Sequence, residues 1–198
     1  GALAAERELI LHGATTLPSW HVTVAGFEGP EQILQGDTVT IPKPADSRVP
    51  SGSVGARAGE LAGVPQALTL QWKDAWFASM RFDGAAPLDL RQYVAGGTVE
   101  FDINVLELDK GGIYFIMRCG EECYRKLPFV VAARGMQGKG WQHLSFSLAC
   151  FARARDDFSK VPGPFALEAN GSGQVAVANV RFVQGGKPNT ACPDYRAQ

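Results

Sequence analysis

Apolar and polar residues alternate along most of this chain, and helical spacing is rarely kept for three turns. A period of two is typical of β-strands that bury one face. Two early segments, Glu8–Leu11 and His21–Ala25, show the pattern, and seven later segments bounded by Gly, Pro or Asp repeat it. The later segments are Ala67–Trp72, Trp76–Phe82, Thr98–Leu108, Gly111–Cys119, Trp141–Phe151, Phe165–Ala169 and Gln174–Val183. This many short strands predicts an all-β fold, namely a two-sheet antiparallel β-sandwich or jelly roll.

Alternation also predicts which side chains of each strand are buried. The expected core positions are Phe101, Ile103, Val105, Ile113, Phe115, Met117, Leu144, Phe146, Leu148 and Cys150. The opposite positions include Glu100, Asp102, Asn104, Tyr114, Arg118, Trp141 and His143. Rings among charged and amide groups suit a sugar, whose C–H face stacks on a ring while its hydroxyls need donors and acceptors. An ordinary solvated outer face has the same composition, so both interpretations stay open.

Other segments predict interruptions between the strands. The stretch 41–63 is rich in Pro, Gly and Ser and predicts an irregular loop with short strand fragments at most. Residues 170–173, Asn-Gly-Ser-Gly, predict a hairpin turn between the last two strands, because Asn and Gly tolerate positive φ. Single helical turns are expected near Leu90 and over 151–159. With neither an internal repeat nor a linker, residues 1–198 are predicted to form one β-sandwich domain.

The composition limits the classes of partner. The 198 residues, 45% of them hydrophobic, suffice for one sizeable core. Nineteen Lys and Arg against twenty Asp and Glu give a net charge of -1, so we expect neither nucleic-acid nor membrane-surface binding. No apolar run approaches the roughly 20 residues of a membrane-spanning helix. The N-terminal ten residues are too short and too charged for a secretory signal, so any export signal is expected outside this sequence.

The four cysteines allow three interpretations, which are disulfides, a metal site or free thiols. Cys119 and Cys123 have a C-x3-C spacing that does not suit paired zinc knuckles, and the intervening glutamates oppose a reactive thiolate. We favour two disulfides, Cys119 to Cys123 and Cys150 to Cys192. Such bridges persist in oxidising compartments, which favours a periplasmic or extracellular location.

Catalytic motifs are largely missing from the sequence. The three histidines show no metal-binding spacing, and no serine stands in a nucleophile elbow. Glu100-Phe101-Asp102 resembles the catalytic strand of family 16 β-glucanases, which continues to a second glutamate that acts as acid/base. Here position 104 is Asn and position 105 is Val. We therefore expect that the chain is not an enzyme.

The C-terminal half carries a more specific resemblance. Its landmarks are Cys119-Gly-Glu-Glu-Cys123, Gly140-Trp141, Leu144–Phe151, Asp156–Val183 and Cys192-Pro193. They resemble the C-terminal domain of exo-1,3/1,4-β-glucanases of glycoside hydrolase family 3. The N-terminal half fits more loosely, and nothing resembles the catalytic barrel. The resemblance implies a galactose-binding-like sandwich similar to carbohydrate-binding modules and exported by a bacterium. Such a domain is either part of an enzyme, with the catalytic domain in cis, or a free module.

Two functions follow from this resemblance. The first is a carbohydrate-binding module for β-glucan or a related plant or algal polysaccharide. The second is a structural appendage that shapes the rim of a catalytic site without binding sugar. The candidate sugar-binding residues are Trp72, Trp76, Asp102, Asn104, Tyr114, Arg118, Trp141 and His143. Because Trp72 and Trp76 also keep the phase of neighbouring apolar residues, either indole can instead belong to the core.

No cofactor is expected. Galactose-binding-like folds often hold a structural Ca²⁺, but the sequence has no D-x-D-x-D cluster that would supply its ligands. A structural Ca²⁺ stays an open expectation.

Overall fold

Antiparallel β-strands make up most of the protein in the computed structural model, which describes residues 7–27, 29–42 and 52–192. The strands are β1 Glu8–His12, β2 Trp20–Gly26, β3 Gln32–Ile33, β4 Thr38–Ile41, β5 Ser53–Leu61, β6 Val64–Gly84, β7 Gly97–Lys110, β8 Ile113–Gly120, β9 Cys123–Pro128, β10 Trp141–Ser147 and β11 Gly163–Gln184. The helices are α1 Arg91–Val94 and α2 Val130–Met136, with a 3-10 turn at Leu148–Phe151. None of the described helices is long and apolar enough to cross a membrane.

The strands pair into two sheets that share β6 and β11. Sheet I has the order β4, β5, first half of β6, second half of β11, β7, β10, and β1 pairs with the end of β11. Sheet II has the order β3, β2, second half of β6, first half of β11, β8, β9. The inner faces meet in a phenylalanine cluster, where the Phe101 ring lies 4.8 Å from that of Phe115 and 5.0 Å from that of Phe165. The predicted antiparallel sandwich is confirmed.

Both long strands pass from one sheet to the other at bulges. In β6 the bulge follows Asp74, whose φ is 49°, and in β11 it lies at Gly171, whose φ is 80°. A Cβ atom on Gly171 would lie 2.0 Å from the carbonyl oxygen of Lys110, so only glycine fits there. The hairpin predicted at 170–173 is therefore wrong, because these residues bend a continuous strand. The segments Ala67–Trp72 and Trp76–Phe82 are likewise one strand.

The predicted loop over 41–63 is also only partly correct. Residues 43–51 lie outside the described part of the chain, but Ser53–Leu61 is a regular strand between β4 and β6. Val54 and Ala56 point into the core, while Gly55 fits between Gln71 and Val39 of the flanking strands. Small residues allow this close packing, and the same residues gave the segment its loop-like composition.

The predictions of helix had mixed outcomes. The turn near Leu90 is α1, whereas residues 152–159 contain no helix and only the 3-10 turn precedes them. Asp156 is used there to pair with Arg125 and to accept a hydrogen bond from the Arg153 amide. Helix α2 and strand β9 were not predicted.

Both disulfides are present, Cys119 to Cys123 across the β8–β9 turn and Cys150 to Cys192. The second bridge ties the C-terminal segment next to β10, where the amides of Asn189 and Thr190 both donate to the Ser145 carbonyl. The outer edge of sheet I is thereby covered.

Candidate functional site

The predicted sugar-binding residues lie on separate surfaces. Asp102, Asn104, Trp141 and His143 belong to the outer face of sheet I, and Tyr114 and Arg118 belong to the outer face of sheet II. Trp76 lies at one end of the sandwich, beside the bulges. Trp72 is in the core. A single site containing all eight residues therefore does not form.

On sheet I the polar side chains bind one another. His143 Nδ1 lies 2.9 Å from Asp102 Oδ1, and its Nε2 lies 3.0 Å from Glu100 Oε1. The second oxygen of Asp102 accepts a hydrogen bond of 2.8 Å from Asn179, and Arg181 lies 3.6 Å from Glu100. The hydrogen-bonding capacity of this network is largely used inside the protein, which leaves little for a ligand.

The centre of the same face is covered by the protein itself. Trp141 Nε1 donates a hydrogen bond of 3.1 Å to the Leu61 carbonyl, at the tip of the β5–β6 hairpin. Asn104, directly opposite Trp141 in the β-ladder, is only 3% exposed. Ala176, next in that row, is also buried. The prediction that Asn104 contacts sugar is therefore wrong, because a buried side chain is not accessible to a ligand.

Trp72 is likewise removed from the candidate site. Its side chain is 3% exposed, and its Nε1 donates to the Asn170 carbonyl at 3.1 Å. A Cβ atom on Gly173 would lie 2.5 Å from the indole, so the ring packs directly on the β11 bulge. Trp72 follows the phase of Leu68 and Leu70, and it belongs to the core, which was the alternative to sugar binding.

A groove of about 310 Å³ crosses the outer face of sheet II. Its lining includes Phe77, Arg81 and Asp83 of β6, Arg118 of β8, Tyr124 of β9 and Glu168 of β11. The odd-numbered residues 77–83 of β6 point outward because Ala78, Met80 and Phe82 occupy the core.

Ion pairs hold several charged groups of the groove in place. Arg81 donates to both carboxylate oxygens of Glu31, at 2.9 and 2.6 Å, and forms an ion pair with Asp83 at 3.0 Å. The hydrogen bond from Arg81 lowers the pKa of Glu31 below its ordinary value. Glu168 accepts a hydrogen bond of 3.3 Å from the Tyr124 hydroxyl and pairs with Lys126. These carboxylates are thus oriented before any ligand arrives.

The groove also contains an unpaired guanidinium and two accessible rings. The exposed Arg118 guanidinium makes no hydrogen bond or ion pair with any residue that the structure describes. The Tyr124 side chain is 47% exposed, and Phe77 is half-buried. The groove therefore combines two accessible rings with a free donor and oriented acceptors.

Tyr114 borders this groove without lining it. Lys126 Nζ lies 4.1 Å from the centroid of the Tyr114 ring, and the ring packs so closely on Gly112 that a Cβ there would meet the hydroxyl at 2.6 Å. Tyr114 was predicted to contact sugar because of its outward phase, whereas Phe77 and Tyr124 were not predicted. Phe77 alternates with Ser79 and Arg81, a signal that was available, whereas Tyr124 lies on the unpredicted strand β9.

Potential metal ligands come together at one place in the described ranges. Cys119, Cys123 and Asp156 lie within 4.8 Å of one another, but both sulfurs belong to the disulfide. Calcium prefers six to eight oxygen ligands, so this group does not suit it.

Comparisons with known proteins agree with the fold. The model of the family Exop_C, described as galactose-binding domain-like, matches residues 45–182. A comparison with curated protein sequences gave no match. The extra C-terminal domain of an exo-1,3/1,4-β-glucanase from a Pseudoalteromonas species superimposes with a TM-score of 0.67 at 15% identity, covering 92% of this chain and 96% of that domain.

Two further structures are similar. The whole Pseudoalteromonas exo-1,3/1,4-β-glucanase gives a TM-score of 0.70 at 13% identity; 96% of this chain is covered, but it spans only 22% of that enzyme. The family 30 carbohydrate-binding module of a cellulosomal cellulase of Clostridium thermocellum gives 0.55 at 15% identity, covering 91% of this chain and 99% of the module. At identities of 13–15%, the TM-scores of these structures show a shared fold.

The family match covers well over half of the chain. The description of the family agrees with the galactose-binding-like fold that the sequence predicted. The chain belongs to the galactose-binding domain-like family Exop_C.

Proposed function

We propose that this domain binds a β-glucan chain in the groove of sheet II, as the accessory domain of a glycoside hydrolase. The observation that carries the proposal is the coexistence, in one groove, of the accessible Phe77 and Tyr124 rings with the uncommitted guanidinium of Arg118. Rings supply stacking surfaces for the C–H faces of pyranoses, and the guanidinium supplies donors for hydroxyl groups.

The charges of the groove support a neutral ligand. Three carboxylates, Glu31, Asp83 and Glu168, face two arginines, so no strong field of one sign favours an ionic polymer. The ion pairs fix the carboxylates as acceptors for sugar hydroxyls, which reduces the ordering required on binding. Stacking and a few hydroxyl contacts would give roughly 4 to 7 kcal/mol, corresponding to dissociation constants from about millimolar to about ten micromolar.

The length of the groove supports an oligosaccharide segment as the ligand. Phe77 and Asp83 are six residues apart on β6, which corresponds to about 20 Å along a strand. A ligand that contacts both ends must therefore contain several sugar rings.

Catalysis is not part of the proposal. Hydrolysis by two carboxyl groups requires that one be protonated to act as the acid. The lowered pKa of Glu31 keeps that carboxyl ionised, and Glu168 is paired with Lys126. Binding without turnover is the chemistry that this groove supports.

The biological setting is proposed from the relatives and the disulfides. One similar structure is a domain of an exo-1,3/1,4-β-glucanase, and another is a carbohydrate-binding module of a cellulase. By analogy we assign a β-glucan ligand and a catalytic glycoside hydrolase domain in cis. Two disulfides persist in an oxidising compartment, which supports a periplasmic or secreted location in a bacterium.

Affinity electrophoresis against mixed-linkage β-glucan, laminarin, xylan and mannan tests the proposal. Retardation by a β-glucan is expected. Running the gels with and without EDTA shows whether a structural Ca²⁺ contributes to binding. Arg118→Ala and Phe77→Ala should each abolish most of the retardation. Arg57→Ala is the matched control, because Arg57 is also an exposed arginine and lies on the outer face of sheet I, where it makes no hydrogen bond or ion pair with a described residue.

Two results would contradict the proposal. Equal loss of retardation in Arg57→Ala and Arg118→Ala would show nonspecific charge effects. Absence of retardation on every polysaccharide would favour the structural appendage instead.

A further inference from the structure

Trp76 is the most exposed of the large apolar side chains in the described residues, at 57%. It projects at the end of the sandwich where β6 and β11 change sheets. The Phe27 ring lies 5.9 Å away at an interplanar angle of 45°, so the indole is supported by a neighbouring ring. The indole lines a cavity of about 640 Å³ that is open to solvent. Asp74, Lys110 and Asn170 line the same cavity.

The backbone around this cavity is held in unusual conformations. Asp74 has φ 49°, a left-handed conformation that non-glycine residues seldom adopt, and its amide donates to Ser172 Oγ at 2.9 Å. Asn170 accepts a hydrogen bond from the Gly112 amide through Oδ1 at 2.9 Å. These contacts hold the bulges beside Trp76, whose side chain is exposed.

Polar groups beside the indole are available to a ligand. Asp74 and Lys110 form an exposed ion pair of 3.2 Å, which offers acceptors and donors side by side. The Asn170 Nδ2 group makes no hydrogen bond to the part of the chain that the structure describes. An exposed ring next to a carboxylate, an ammonium and an amide suits one pyranose, with its C–H face on the ring and its hydroxyls on the polar groups.

We propose that Trp76, Asp74, Lys110 and Asn170 form a second sugar site, which binds a single glucose-configured pyranose. In β-glucopyranose all ring hydroxyls are equatorial, so both faces of the ring present axial C–H groups to an indole. The axial hydroxyl of galactose interrupts one face. The choice of a glucoside rests on the proposed function, whereas the site itself rests on the geometry at Trp76.

This site is independent of the groove. Trp76 and Phe77 are consecutive in β6, so their side chains point to opposite sides of the strand. One sugar ring cannot stack on both. Two separate sites on one domain raise the avidity for a long glucan even when each site is weak.

The test follows the indole N–H signals by two-dimensional ¹⁵N NMR during titration with methyl β-D-glucopyranoside, with the galactoside as comparison. Trp72 and Trp141 Nε1 groups are bonded inside the protein, whereas Trp76 Nε1 has no partner in the described residues. Trp76→Phe identifies its signal by loss. The glucoside should shift the Trp76 signal, and the galactoside should shift it less.

Two variants measure the polar contribution. Asp74→Gly retains the left-handed backbone and removes the carboxylate, so the fold should survive while affinity for the glucoside falls. Trp76→Ala should weaken binding of the glucoside by about tenfold or more, as measured by the shifts of neighbouring amide signals during titration. An unmoved Trp76 signal at saturating glucoside, or equal shifts by both sugars, would overturn the proposal.

Phe77→Ala distinguishes sugar binding at Trp76 from glucan binding in the groove. The variant should lose retardation on polysaccharide while the Trp76 signal still responds to the glucoside. If retardation persists in the wild type and the Trp76 signal never moves, the groove stands and the second site fails. If the Trp76 signal moves but no polysaccharide is retarded, the groove fails and the second site stands.

Discussion

The outer faces of the two sheets have similar compositions and different availability. The sheet I face presents Trp141, His143 and Asp102, whereas the sheet II face presents Phe77, Tyr124 and Arg118. On sheet I the polar atoms bind one another and the β5–β6 hairpin accepts the Trp141 N–H. On sheet II the guanidinium of Arg118 and the rings are left accessible. Carboxylates are hydrogen-bonded on both faces. The faces differ because sheet II keeps an unpaired guanidinium and accessible rings, and the residue types on a face do not reveal this.

The largest expected effect tests which tryptophan is structural. Trp72→Ala should lower the free energy of unfolding by about 3–5 kcal/mol, because it leaves a cavity in the core and removes the donor to Asn170. Trp76→Ala should change it by less than about 0.5 kcal/mol, since the indole is exposed. Urea denaturation measures both. Equal destabilisation would place Trp76 in the core and remove it from any binding site.

The next effect tests the sheet I network. Asp102→Ala removes the acceptor of Asn179 and a partner of His143, which should cost about 1–3 kcal/mol of stability. Polysaccharide retardation of the folded variant should be unchanged. A variant with normal stability and lost retardation would reverse the assignment of the two faces.

A smaller effect separates ring from hydroxyl at Tyr124. Tyr124→Ala removes the accessible ring and should weaken glucan binding by about 0.5–1.5 kcal/mol, or about twofold to about twelvefold. Tyr124→Phe keeps the ring and should bind nearly as well as the wild type. Calorimetry compares the two variants, and equal loss in both would transfer the role to the hydroxyl group and its contact with Glu168.

The smallest effect concerns His12, which contacts β6 next to the β5–β6 hairpin that covers the outer face of sheet I. His12 Nε2 lies 2.7 Å from the Gln66 carbonyl, near the β5–β6 hairpin, and burial lowers the pKa of His12 below its ordinary 6.5. Because the unfolded chain binds the proton more tightly, stability is full above pH 6.5 and declines as the pH falls toward the lowered pKa. Denaturation midpoints should show this decline, and His12→Gln should flatten it. A steeper slope in the variant would contradict the prediction.

Much of the fold was predictable because alternation is a local property. Phe101, Phe115 and Phe146 were assigned to the core by phase alone, and all three are buried there. The bulges were not predictable, since Asn-Gly in β11 has the same local preferences in a hairpin and in a bend. Only the pairing of β11 with both β6 and β7 determines which one forms.

The candidate site was less predictable than the fold. Phase identified outward residues such as Arg118 and His143 but did not indicate that they lie on opposite sheets. It also did not show that His143 is held by Glu100 and Asp102, because these pairs depend on strand register. The accessibility of a polar group is a tertiary property, and the sequence pattern does not contain it.

The sharing of β6 and β11 between the sheets has a consequence for how the domain loses its structure. Each of these strands contributes one half to either sheet, so melting of one sheet removes paired strands from the other. Neither layer can then exist as a partly folded intermediate with its hydrogen bonds intact. The domain should unfold in a single cooperative transition, and amide hydrogens in the middle of both sheets should exchange with solvent at the same, globally limited rate.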